Sequence, residues 1–176
     1  ILEEDVALDP ELLGMVFENL LAEINPTDIA AAKSARKASG SYYTPRRIVD
    51  YMVNESLHLY LRSRFERETA TRQDLQLVSQ LCYREEGVDF APVADRIVED
   101  LDEVRVLDPA CGSGAFPMGM LHRMVELLRV VDPGNERWKQ RLLARLPEDI
   151  RADAERGMAG KSYDYLRKLG LIQKNL

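Results

Sequence analysis

The sequence is short of the residues that hold metals or crosslinks: its 176 residues include two cysteines and two histidines. No pair among Cys82, Cys111, His58 and His122 stands at metal-ligand spacing, so neither a disulfide framework nor a structural zinc site is expected. A run of about 18 apolar residues is also missing, and the first five residues are rich in acid, which argues against a membrane span and a secretion signal.

Basic residues are not in excess either. The chain carries 24 Lys and Arg against 30 Asp and Glu, a net charge of −6, which excludes a module that is basic throughout and binds nucleic acid with its whole surface. The remaining composition, with 45% hydrophobic and 31% charged residues, is typical of a globular protein. Because the chain begins with Ile1 rather than Met, we expect it to be a piece of a larger protein.

Apolar residues at helical spacing predict two amphipathic helices in the first third of the chain. Each follows a polar N-cap residue and a proline at the first helical position, Asp9-Pro10 and Thr44-Pro45. The first helix ends at Asn25-Pro26. Their apolar stripes comprise Leu12, Leu13, Val16, Phe17, Leu20, Leu21 and Ile24, and then Ile48, Val49, Met52, Val53, Leu57, Tyr60 and Leu61. Further helical patterns cover 75–81, 93–101, 138–146 and 147–156, with breaks near Gly87 and Pro92.

One segment reads as a β-strand. The short, β-branched stretch 104–107 leads directly into the glycine-containing turn 108–114, and a helical pattern follows. A strand, a glycine turn and a helix form the first unit of a doubly wound sheet, which predicts an α/β fold in the whole protein and a mostly helical piece with one or few strands here. We expect a helical region over 1–62, a helical joint over 63–102, and the start of the sheet domain over 103–176. An exposed sheet edge beside 104–107 would favour self-association.

The residues of this turn indicate a site where a ligand packs closely against the backbone. Gly112 and Gly114 lack a Cβ, the next helix points its free N–H groups at the turn, and Asp108 supplies a carboxylate. A phosphate-binding loop would need Gly-Lys-Ser/Thr where the chain has Gly114-Ala115-Phe116, and a dinucleotide fingerprint would need glycine where Pro117 stands. S-adenosylmethionine fits better, since its carboxylate can meet the helix and its ammonium can meet the acid.

Three segments resemble a known family. The cofactor-binding motif I of DNA amino-methyltransferases, chiefly the adenine-N6 enzymes, resembles Asp108-Pro109-Ala110-Cys111-Gly112-Ser113-Gly114-Ala115-Phe116. Their motif X resembles Gly40-Ser41-Tyr42-Tyr43-Thr44-Pro45, and its position upstream of motif I is typical of the γ class. Residues 13–21 are similar to the lead-in helix of the large type IIG restriction–modification polypeptides and of related phage-defence adenine methyltransferases.

The resemblance implies a Rossmann-like, S-adenosylmethionine-dependent enzyme that methylates adenine N6 in double-stranded DNA within the cytoplasm, in a restriction–modification or phage-defence system. It implies that the cofactor is lined by Tyr42, Tyr43, Thr44, Pro45, Asp108, Pro109, Ala110, Cys111, Gly112, Ser113 and Gly114. The family's catalytic Asn/Asp-Pro-Pro-Tyr/Phe motif is absent, because the chain has no Pro-Pro. We therefore expect no catalytic residue here, DNA contacts made by other parts of the parent, weak cofactor binding and no methylation by this chain alone.

Other interpretations of the sequence stay open. The chain could come from an RNA or protein-amide methyltransferase, or from a non-catalytic helical scaffold with a degenerate cofactor turn. The turn could be an ordinary strand-to-helix connection, and Tyr42 and Tyr43 could be core aromatics. Cys111 is expected to be a small buried thiol rather than a nucleophile. The acid-free basic stretch Lys33, Arg36, Lys37, Arg46 and Arg47 could meet DNA phosphate or form a solvated face.

Overall fold

The computed structural model describes Val16 and residues 44–176. Val16 lies in a helix and is exposed, and the rest of the first predicted helix, together with Tyr42 and Tyr43, lies outside the described residues. Seven helices follow within 44–176: α1 (Arg46–Arg67), α2 (Arg72–Cys82), α3 (Ala91–Glu103), α4 (Ala115–Val131), α5 (Glu136–Ala144), α6 (Glu148–Met158) and α7 (Tyr163–Lys174).

The predicted α/β fold with a strand at 104–107 is wrong for this part of the chain, which is all-helical and contains no strand. The segment after α3 is extended, with Val104 at φ −56° and ψ 141°, but it has no strand beside it. A single backbone bond joins it to the end of α7, from the Val106 N–H to the Asn175 carbonyl at 2.8 Å. One bond is not the repeated ladder that defines a sheet, so the predicted self-association through a sheet edge also loses its basis.

The helix starts only partly follow the predicted caps. α1 begins one residue later than expected: Pro45 is its N-cap, and no side chain caps it, so Thr44 does not have the predicted capping role. At α2, the Thr71 hydroxyl accepts from the Asp74 N–H while the Asp74 carboxylate accepts from the Thr71 N–H, which is a complete capping box. Pro92 lies in the first turn of α3, where it starts the helix rather than breaking a pattern.

The core forms where α1, α2, α3 and α4 pack together, with α7 and the indole of Trp138 closing one side. Only one side of the stripe predicted for α1 is buried, namely Val49, Val53, Leu57 and Leu61, together with Phe65. Ile48 and Met52 are exposed. α6 contributes no buried residue and packs only at the periphery.

The end of α3 is held by the side chain of Asn175, which follows α7. Its amide nitrogen donates to the carbonyls of Leu101 at 3.0 Å, Asp102 at 3.2 Å and Val104 at 2.7 Å. Carbonyls at a helix C-terminus lack partners within the helix, and the buried Asn175 amide supplies them here. This contact fixes the point from which the chain runs toward the turn at 108–114.

Candidate functional site

A short extended segment carries the chain from α3 to the turn. Val104 is buried and Val106 is half-buried, whereas Leu107 is 87% exposed. Side chains alternate in this way along an extended backbone because successive residues point to opposite sides. The Val106 N–H bond to Asn175 holds the segment at its middle, two residues before Asp108.

The two carboxylate oxygens of Asp108 have different surroundings. Oδ1 accepts the Ala110 N–H at 3.0 Å and closes a small turn of the chain upon itself. Oδ2 is buried and has no hydrogen-bond partner within residues 44–176. A buried carboxylate oxygen without a donor is costly, so this oxygen is the polar atom at the turn that most needs an external partner.

Two glycines bend the backbone after Asp108. Gly112 has φ +54° and Gly114 has φ +82°, in the left-handed region that other residues seldom adopt. A Cβ built on Gly114 would meet no atom within 4 Å, and one on Gly112 would meet only the Ala110 carbonyl oxygen at 3.7 Å. The backbone dihedrals, rather than crowding by a neighbouring side chain, therefore favour glycine at these two positions.

The turn ends at the N-terminus of α4. Gly114 is the N-cap, no side chain of Val16 or residues 44–176 caps the helix, and no acid lies in its first turn. The Gly114 N–H is used by the Cys111 carbonyl at 2.8 Å, and the Gly114 carbonyl accepts the Met118 N–H at 3.0 Å. An uncapped helix start of this kind carries partial positive charge and suits an anionic group.

The start of α1 lies at the same end of the molecule as the start of α4. A Cβ on Gly119 would lie 3.0 Å from Val49 Cγ1 and 3.4 Å from Val53 Cγ2, so the two helices approach closely there. Farther along both helices, the Arg123 Nε donates to Asn54 Oδ1 at 3.0 Å. The contacts advance together along the two helices, which shows that they run parallel.

This parallel packing places Thr44 and Pro45 on the side of the turn. Val49 and Gly119 each lie about one helical turn after the start of their helix. The structure therefore brings the described part of the second predicted site segment to the same end as residues 108–114. Tyr42 and Tyr43, the rest of that segment, lie outside the described residues.

The other predicted site residues lie on the surface of the turn. Pro109, Ala110, Cys111 and Ser113 are all exposed or partly exposed. The expectation of a buried Cys111 is therefore wrong, because the bend turns its side chain outward, and the buried thiol is Cys82. Burial raises the pKa of Cys82 to about 11. The sequence did not predict the close packing at Gly119 or the hydrogen bonds of Asn175 at the end of α3, since neither residue belongs to a local pattern that indicates a tertiary contact.

Two other kinds of site are not found in the described part of the chain. Val16 and residues 44–176 contain no group of three or more His, Cys, Asp or Glu that could hold a metal ion. Nor does any helix there combine the length and apolar character that crossing a bilayer requires.

The chain is similar to a much longer protein of Methanocaldococcus jannaschii named "Putative type II restriction enzyme and methyltransferase RM.MjaORFECS2P". The two are 27% identical over 179 residues, an alignment that includes 98% of this chain and 12% of that protein. The chain thus spans about an eighth of the length of the curated relative it matches. No protein-family model and no solved structure matches the chain.

Proposed function

We propose that this chain is part of a DNA methyltransferase of a restriction–modification system, and that its turn at 108–114 binds the amino-acid end of S-adenosylmethionine. The similarity to a protein named as a restriction enzyme and methyltransferase supports the first half. The geometry of the turn supports the second. Because the relative is about eight times longer, the nuclease and DNA-recognition functions of such a protein do not need a counterpart within these 176 residues.

The observation that carries the cofactor proposal is that Asp108 Oδ2 has no partner among the described residues and precedes a helix start that none of their side chains caps. S-adenosylmethionine ends in an ammonium and a carboxylate on one carbon. The ammonium can donate to Asp108 Oδ2, and the carboxylate can accept from the first N–H groups of α4. A phosphate would suit the helix but would repel Asp108, so a zwitterion satisfies both groups better than a simple anion does.

The remaining residues of the site position the methionine end rather than react with it. Gly112 and Gly114 let the backbone approach the ligand, and the Asp108 Oδ1 bond to Ala110 N–H holds the carboxylate in place. The packing of Val49 against Gly119 puts the start of α1, which follows Thr44 and Pro45, at the same end as the turn, and this supports a role for the two residues in the site. The cofactor, when bound, supplies an electrophilic methyl group. The acceptor would be held by parts of the parent protein, since this chain has no Pro-Pro sequence.

We further propose adenine N6 as the methyl acceptor. The support is the sequence Asp108-Pro109-Ala110-Cys111-Gly112-Ser113-Gly114, together with a Tyr-Thr-Pro segment upstream of it, which resembles the γ-class adenine enzymes. Cys111 is not a candidate nucleophile for cytosine chemistry, because it follows alanine in the turn rather than proline.

Binding to this chain alone should be weak. A contact at a helix N-terminus stabilises a ligand by about 0.3–1 kcal/mol, or about 2 kcal/mol when partly buried. A micromolar dissociation constant requires about 8 kcal/mol. The described turn offers contacts to the amino-acid end only, so most of the free energy of binding would come from adenine and ribose contacts in the rest of the parent.

The test is a titration of the ¹⁵N-labelled 176-residue chain with S-adenosylmethionine, followed by NMR. We expect shifts concentrated at the amides of Gly112, Ser113 and Gly114, with saturation well above the low-micromolar range. Asp108→Asn should abolish these shifts. Asp153→Asn, an equal change at an exposed position on α6, should leave them intact.

Two results would contradict the proposal or part of it. Shifts that avoid the turn, or that survive unchanged in Asp108→Asn, would refute the assigned site. A low-micromolar dissociation constant by titration calorimetry would instead refute the conclusion that this chain holds only a minor share of the cofactor contacts.

A further inference from the structure

A second charged feature lies at the end of α3. The carboxylate of Asp102 is buried and faces three cationic side chains from α5, the residue after it, and α7. Its oxygens contact Lys174 Nζ at 2.9 Å, Arg141 Nε at 3.4 Å and the guanidinium of Arg145. One carboxylate is thus shared among three positive charges.

The neighbouring acids do not restore the balance. Glu99 pairs with Arg141 at 3.1 Å, and Glu103 pairs with Arg64 at 2.6 Å on the side of α1. Within residues 44–176, Asp102 is the acidic partner that the structure shows for Arg145 and for Lys174. The three cations around Asp102 therefore outnumber the carboxylates of Asp102 and Glu99 by one, and their side chains are between 26% and 32% exposed.

Arg105 adds a fourth cation to this group. Its guanidinium donates to the carbonyls of Val104 at 3.3 Å and Glu103 at 3.4 Å, and it has no carboxylate partner in the described part of the chain. Arg105 is linked to the others through the Val104 carbonyl, which also accepts the side-chain amide of Asn175, next to Lys174, at 2.7 Å. The pKa of Lys174 is lowered, first by burial and then by the positive charges of Arg145, Arg105 and Arg141, while Glu103 acts in the opposite direction.

We propose that Arg105, Arg141, Arg145 and Lys174, here called the basic cluster, bind the phosphodiester backbone of duplex DNA. The choice of duplex DNA as partner rests on the proposed function. The cluster draws its cations from the segment after α3, from α5 and its C-cap, and from α7, so it presents spread charge rather than an enclosed pocket for one small anion. Three of the four are arginines, whose planar guanidinium groups match phosphate oxygens. Buried Asp102 holds three of the four heads together, which reduces the ordering needed on binding.

The sequence pattern pointed to a different basic stretch, 33–47. The basic cluster could not be predicted from the sequence, because its members lie up to 69 positions apart and none belongs to a run of basic residues. The net charge of −6 conceals it for the same reason. It is a local property of the folded chain.

The test is salt-dependent binding of the 176-residue chain to a fluorescein-labelled duplex of about 25 base pairs, followed by fluorescence anisotropy. Each phosphate contact contributes about 0.9 to the slope of log K against log salt concentration. The double variant Arg105→Gln/Arg145→Gln should lower the slope by about 1.8 and weaken binding at low salt at least fivefold. The buried partner of Arg145, Asp102, is still contacted by Arg141 and Lys174 in that variant.

The matched control is Arg62→Gln/Arg84→Gln, which removes the same two charges from exposed arginines that pair with Glu66 and Glu126. It should bind DNA within about twofold of the unmodified chain. Arg145→Lys, which keeps the charge, should retain most of the affinity. Circular dichroism of each variant establishes that it remains folded.

Three outcomes would overturn the proposal: no binding of the unmodified chain at about 50 mM salt, equal loss of affinity in Arg62→Gln/Arg84→Gln, or better competition by single-stranded RNA of the same length than by unlabelled duplex. The cofactor titration separates this proposal from the proposed function. Arg105→Gln/Arg145→Gln should keep the shifts at Gly112 and Gly114, and Asp108→Asn should keep the affinity for DNA.

Discussion

Gly119 of α4 lies against Val49 of α1, where a Cβ would stand 3.0 Å from Val49 Cγ1, closer than an ordinary van der Waals contact. This contact allows the two helices to approach closely and to run side by side from the same end. It is therefore the packing feature that places the start of α1 next to the turn that precedes α4. The geometry of the candidate site depends on it.

Replacing Gly119 should loosen this packing. We expect Gly119→Val to lower the free energy of unfolding by about 1–3 kcal/mol, because the added methyl groups must displace Val49 or Val53. The measurement is the urea midpoint by circular dichroism. Gly157→Val is the control: Gly157 lies in α6, where an added Cβ would meet no atom within 4 Å, so the same substitution should be neutral or slightly stabilising. Equal effects at the two sites would contradict the close approach.

Removing the Asn175 amide should destabilise the end of α3. In Asn175→Ala the carbonyls of Leu101 and Asp102 would lose the Asn175 donor and Val104 would keep only Arg105, and we expect a cost of about 1–3 kcal/mol. Gln173→Ala, two residues earlier at an exposed position, provides the comparison. If both variants unfold at the same urea concentration as the unmodified chain, the side-chain hydrogen bonds of Asn175 do not contribute to stability.

The two cysteines should react very differently with iodoacetamide. Cys111 is exposed in the turn, whereas Cys82 is buried and its pKa is raised to about 11 by that burial. Because the thiolate is the reactive form, the folded chain should gain one adduct near neutral pH, at Cys111, and a second only in denaturant. Mass spectrometry of peptides checks the position. Prompt modification of Cys82 in the folded chain would show that the α1–α2–α4 core is not closed.

We expect the ionisation of Asp100 to lower the free energy of unfolding as the pH rises from acidic values. Burial raises its pKa, although Arg64, whose Nε lies 2.7 Å from Oδ1, opposes the shift. The folded state therefore holds the proton to a higher pH than the unfolded state does, and folding loses free energy between the ordinary carboxyl pKa and the raised one. In Asp100→Asn this decline should be absent from urea midpoints measured between about pH 3 and 7.

Asp164 provides a control of opposite sign. Arg129 holds its pKa below the ordinary value, so its contribution is present above that value and is lost as the pH falls through the lowered pKa. Asp164→Asn should remove a loss of stability on acidification rather than a loss on raising the pH. Identical pH profiles for the two variants would refute the assignment of the Asp100 effect to burial.

Helical segments were easier to predict from the sequence than their contacts. Helical spacing identified α1 and α4, but it could not show that Val49 is buried while Ile48 is exposed, since the width of a buried stripe depends on the neighbouring helices. The strand at 104–107 was wrong because β-branched residues favour extended backbone without supplying a pairing partner. Within residues 44–176 the segment is extended but is not part of a sheet.

Within the candidate site, residue type indicated more than position did. Glycine at 112 and 114 predicted unusual backbone, and both have positive φ. The outward side chain of Cys111 and the orphaned oxygen of Asp108 were not predictable, because burial of a single atom depends on how distant segments pack. The basic cluster around Asp102 belongs to the same category, since its cations meet only after α5 and α7 have folded onto α3.

The hydrogen bond from Val106 to Asn175 also has a consequence for how this chain can vary. It joins two residues that are 69 positions apart, so the chain between them begins and ends at the same place in the fold. Within this part of the chain, α6 contributes no buried residue. Doubling the length of a long loop costs only about 0.6 kcal/mol of loop-closure free energy. Insertions or deletions around α6 should therefore be tolerated among related proteins without disturbing the entrance to α4.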